Sequence, residues 1–81
     1  DKDILTCSCA ITNWDQGEAQ LEDVLACIKE AASCRSIIGV DVCGENPDDQ
    51  EQEGNRASQT NQNTNRKIIC KLLEICDVLC P

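Results

Sequence analysis

The chain has 81 residues, a formal net charge of −8, no His, Phe, Tyr or Met, a single Trp and eight Cys. So short a chain makes one domain, spanning 1–81, with too little interior to rest on its core alone. The carboxylate excess opposes binding to nucleic acid and to anionic membrane surfaces, and favours encounter with a basic partner.

The first predicted element lies in Asp1 to Thr12, around "ILTCSCAI", as a short helical turn or irregular segment. Cys7 and Cys9 are too close to bond each other without strain, so they reach different partners. The second is a helix from about Asp15 to Arg35. Asp15-Gln16-Gly17-Glu18 resembles a capping box, and Asn13 with Gln16 is a rival cap. Leu21, Val24, Leu25, Ile28, Ala31 and Ala32 share one helical face, with Glu18, Glu22, Asp23, Lys29 and Glu30 opposite. Cys27 and Cys34 stand about 10 Å apart along such a helix and must each reach another segment.

Ile37, Ile38, Val40 and Val42, with Gly39 among them, suit a short strand or a short helix. A third short helix packing near Cys43 is the expected form. From Gly44 to Thr64 the only apolar side chains are Ala57 and Pro47. Such a stretch buries too little to offset its ordering entropy, so a long mobile loop is expected there. The closing helix follows, capped by Asn63, Thr64 or Asn65. Ile68, Ile69, Leu72, Leu73, Ile75, Val78 and Leu79 cover well over half its circumference, so the other elements wrap it as a hub. Cys76 and Cys80 lie on one side of it, and Cys70 points away from them.

Together these features predict an all-α fold: a small disulfide-rich bundle of three to four helices with a flexible loop at about 44–64. The even cysteine count, about one residue in ten, is the level of a disulfide scaffold. Cys7, Cys9, Cys27, Cys34, Cys43, Cys70, Cys76 and Cys80 are all expected to be bridged, in one of on the order of a hundred pairings. Four bridges at roughly 3 kcal/mol each would rival the stability of an ordinary domain. Zinc is disfavoured, because no His and no Cys-x-x-Cys occur. Disulfides place the protein outside the cell. Asp1-Lys2-Asp3, with no long apolar run behind it, reads as a mature chain after signal removal. No segment approaches the roughly 20 apolar residues of a membrane span.

Enzymatic chemistry finds no support. Without His there is no Ser-His-Asp or Cys-His arrangement, and bridged cysteines leave no thiolate. No catalytic residue, cofactor site or metal site is expected. Asp48, Asp49, Glu51 and Glu53 do not match the spacing of a calcium loop and read as a solvated acidic stretch, or as contacts for a basic partner. Trp14, just before a predicted helix start, has two readings: a hydrophobic staple folded on the first turn, or an exposed anchor at a binding surface. Arg66-Lys67 is a dibasic pair, read either as a processing site or as two bases in a helix's first turn.

Asp1, the Cys-bearing "IICKLLEICDVLC" helix, the acidity and the bridged helices resemble the ciliate mating pheromones of the Euplotes type. The resemblance covers about half the chain and carries over no binding residue; the 44–64 stretch has no counterpart in it. It implies a diffusible signal that binds a cell-surface receptor, with self-like association. The expected function is therefore a secreted, non-enzymatic ligand, pheromone-like or toxin-like, acting on a receptor or channel. The alternatives are a small extracellular lipid carrier and a protease inhibitor using the long loop as bait, with Arg56 or Arg66 as the specificity residue.

Overall fold

The computed structural model describes residues 1–46 and 56–75. Lys2–Ile4 form a 3-10 turn, Leu21–Cys34 form helix α1 and Arg56–Ile75 form helix α2. The described residues are thus mostly helical and include no strand, with two α-helices rather than the three or four expected.

The first segment behaves as its sequence suggests. Asp1 caps the 3-10 turn by accepting the Asp3 N–H, and a second turn covers residues 7–9. Between them Leu5 pairs with Ala19 in an isolated parallel bridge. That pairing explains why α1 begins at Leu21 and not at Asp15. The Gly17 N–H donates to the Asp3 carbonyl at 2.6 Å, the Ala19 N–H to Ile4 at 3.1 Å, and the Thr6 N–H to Ala19 at 2.9 Å. Amides needed for a first helical turn are spent on the N-terminal segment instead, so neither sequence cap is used. Gln20 holds the cap position without a side-chain bond, while Glu22 and Asp23 suit the positive end of the helix.

The apolar stripe of α1 falls as expected up to Ile28, while Ala31 is exposed and Ala32 does not join the core. Leu21 is buried, and Val24, Leu25 and Ile28 pack on the core of Leu5, Ala10, Leu21, Ile68 and Leu72. After Cys34 the chain turns extended at Arg35. The third helix expected near Cys43 does not form. Residues 35–46 are irregular, and only Ile37 of their apolar side chains joins the core, while Ile38 is 90% exposed. A run of β-branched residues broken by Gly39 has low helical preference and no apolar stripe to repay it. The segment is pinned where the Lys2 N–H donates to the Cys43 carbonyl at 2.9 Å. It then turns at Gly44, whose φ of +90° is a conformation that suits glycine.

Helix α2 overturns the second half of the expected loop. Residues 56–64 are helical; 47–55, with Asp48, Asp49, Glu51 and Glu53, lie outside the described residues. The polar start of α2 is held by hydrogen bonds rather than by apolar burial. Asn61 and Thr64 are buried beside Ile68 and Leu72 on one stripe. Asn61 meets both backbone groups of Ile11, and the Thr64 hydroxyl donates to the Cys9 carbonyl. The hub expectation holds only on this stripe. Ile69 and Leu73 on the other side are 52% and 50% exposed, so among the described residues α2 is covered on one face and not wrapped; Val78 and Leu79 lie outside the described residues.

The six described cysteines stand as free thiols, so the expected bridges are not formed among them; Cys76 and Cys80 lie outside the described residues. Cys7, Cys27, Cys34, Cys43 and Cys70 face solvent, and Cys9 is half-buried. The fold here is held by its apolar core and by side chains bonded to backbone. Among the described residues no helix is long and apolar enough to cross a membrane.

Candidate binding surface

Residues 10–16 form the part of the surface most deliberately built. Ala10 is fully buried and Thr12 nearly so. Asn61 of α2 fixes the backbone between them: its Oδ1 accepts the Ile11 N–H at 2.8 Å and its Nδ2 donates to the Ile11 carbonyl at 2.8 Å. Gln16 then closes the turn from the other end. Its Oε1 accepts the Thr12 N–H at 2.6 Å and the Thr12 hydroxyl at 3.1 Å, and its Nε2 donates to the Leu5 carbonyl at 2.9 Å. The Thr12 Oγ1 in turn accepts the Trp14 N–H at 3.4 Å.

This network holds out Trp14, the only aromatic residue, with 74% of its surface exposed. The hydrophobic staple is therefore not made. The helix it would have folded onto starts at Leu21, leaving no first turn within reach. Asn13, Asp15 and Glu18 around the indole are exposed as well. An amphipathic ring flanked by carboxylates can stack on a basic side chain or bury itself in a partner's pocket.

A second polar cluster ties three distant parts of the chain. Lys2 is only 2% exposed, and its ammonium donates to Glu45 and, at 2.6 Å, to Asn65 Oδ1. The Asn65 amide donates to the same Glu45 carboxylate at 3.1 Å. A buried ammonium is tolerable only with such partners. Burial pushes the Glu45 carboxyl up, but the hydrogen bonds from Lys2 and Asn65 and the Lys2 charge outweigh it and hold the group below its ordinary 4.5. A depressed folded value means stability that is present above pH 4.5 and lost as pH falls through the folded value. Glu45→Gln is accordingly expected to flatten acid destabilisation in that range. Equilibrium unfolding measured from pH 7 to 3 checks this, and a variant curve parallel to wild type would exclude the contact as a source of acid sensitivity. Sequence reading missed this cluster because its members are far apart and because Asn63, Thr64 and Asn65 read as helix caps, whereas all three lie inside α2.

The remaining candidates scatter. Arg66-Lys67 lies in the middle of α2, not in a first turn, and Arg56 opens that helix. A helical backbone there suits neither a processing site nor an extended bait loop. Among the described residues no three His, Cys, Asp or Glu side chains gather to hold a metal ion. An apolar cleft of about 100 Å³ opens between α1, α2 and residues 40–42. Comparison with protein-family models, with curated proteins and with solved structures gives no significant match to this chain.

Proposed function

We propose that this protein is a secreted, disulfide-stabilised, non-enzymatic ligand, pheromone-like or toxin-like, that binds a basic face of a cell-surface receptor or channel through the Trp14 turn. The observation that carries this reading is the sole aromatic side chain, held in solvent by the Thr12–Gln16–Leu5 hydrogen bonds. A preformed turn spends little entropy on binding, and exposed Trp is the residue type most often found at the centre of interface energy. The net charge of −8 speeds approach to a basic surface. The six described cysteines are free thiols in this structure, five of them exposed, and their pairing is part of the proposal, since an extracellular setting would oxidise them. The lipid-carrier reading is weaker, because a cleft of about 100 Å³ is too small to enclose a whole lipid chain.

The test is saturable binding of tagged protein to target cells, using material whose intact mass shows the oxidised form. Trp14→Ala is expected to weaken binding about 30-fold, the equivalent of ~2 kcal/mol at an interface centre. Its thermal midpoint should barely move, because an exposed side chain contributes little to stability. Undiminished binding by Trp14→Ala would remove the turn from the interface. Absence of competable binding would remove the ligand reading itself.

A further inference from the structure

Among the described residues, four of the five buried apolar side chains, Leu5, Leu21, Ile68 and Leu72, line the same cleft. Its volume is about 100 Å³, and it opens to solvent beside the exposed residues Asp1, Val40, Asp41 and Val42. Among the described residues, no side chain fills the space between α1, α2 and residues 40–42. Val24 and Ile28 of α1 form one wall, and Val40 and Val42 of the irregular segment form another. Water inside would find few polar partners on these walls, and apolar cavities of similar size take up small apolar molecules.

Asp1, Lys2 and Asp41 also line the cleft, and the Lys2 ammonium is already engaged by Glu45 and Asn65. A charged group placed here would give up hydration against apolar walls, so the cleft favours an uncharged molecule. We propose that this cleft is a binding site for a small uncharged apolar molecule, of the size of one aromatic ring or a short alkyl chain. The site is separate from the Trp14 turn, so either proposal stands if the other fails.

Benzene is the probe, titrated into the full chain while methyl resonances are followed by NMR. The expected result is a saturable shift confined to the methyls of Leu5, Leu21, Ile68, Leu72 and their wall neighbours. The thermal midpoint should rise with benzene concentration, as it must for a ligand that binds only the folded state. Val24→Phe fills the cleft and should abolish both effects. Val42→Phe reaches the same space from a residue that is 40% exposed, and decides the matter if the first variant fails to fold. Hexanoate should bind more weakly than benzene because its carboxylate would lose hydration in the cleft. A shift that does not saturate, one centred on exposed Ile38, Ile69 or Trp14, or undiminished binding by the filled variants would overturn the site. Hexanoate binding equal to that of benzene would overturn the ligand class.

Discussion

Asn61→Leu is expected to lower stability by about 3 kcal/mol, since it strands two buried backbone groups at roughly 1–3 kcal/mol each. Asn61 is only 2% exposed, and its carboxamide satisfies both the N–H and the C=O of Ile11 at 2.8 Å. Leucine keeps the branching, though it is bulkier, and leaves both part-buried groups without a partner. For a domain of this size the loss should lower the thermal midpoint by roughly 12–24 °C. Asn61→Asp separates the two bonds. It keeps an acceptor for the Ile11 N–H, loses the donor to the carbonyl, and buries a charge. Its folded pKa should therefore rise, making its destabilisation largest at neutral pH and smaller as the pH falls. Because Ile11 leads directly into Thr12, both variants should also loosen the turn that presents Trp14. Indole fluorescence anisotropy reads that loosening without a receptor. A variant as stable as wild type, with unchanged anisotropy, would show that the Asn61–Ile11 pair does not hold the segment.

The contrast between the two helices shows what local pattern can and cannot specify. The core-facing stripe of α1, with Leu21 buried and Val24, Leu25 and Ile28 partly buried, was legible because apolar periodicity and packing coincide there. The first half of α2 was not. Its buried face is made by Asn61 and Thr64, polar residues whose burial depends on carbonyl and amide groups of Cys9 and Ile11, about fifty residues away in the chain. Composition counts such residues as solvated, and only the tertiary partner reverses that. The Lys2–Glu45–Asn65 cluster was illegible for the same reason. Trp14 was legible as a choice between two roles, and the late start of α1 decides between them at the level of structure. What moved that start is a pairing of residues 4–6 with 17–19 that leaves no periodic signature, so Asp15 still reads as a good helix cap.

That unused cap makes Gly17→Ala informative. A Cβ at Gly17 would fall on the Ile4 carbonyl oxygen and lie 2.6 Å from Ile4 C and 2.9 Å from Ile4 Cα. These are backbone atoms, and the contact is bracketed by the Gly17–Asp3, Ala19–Ile4 and Thr6–Ala19 hydrogen bonds, so neither chain can step aside alone. The expected loss is about 3 kcal/mol, at the upper end of overpacking costs. The cost here is steric, and Gly39, with nothing within 4 Å of its Cβ position, supplies the control. Gly39→Ala should be neutral or gain roughly 0.4–1 kcal/mol by restricting the unfolded chain. The Gly17 variant should also behave unusually in circular dichroism. Residues released from the Leu5–Ala19 pairing regain a capping box at Asp15 and one more good helix former. Helical signal should therefore rise at low temperature while the midpoint falls. A fall in both would mean that the freed segment does not extend α1. An unchanged midpoint would mean that the close approach of Gly17 to Ile4 is not part of the fold.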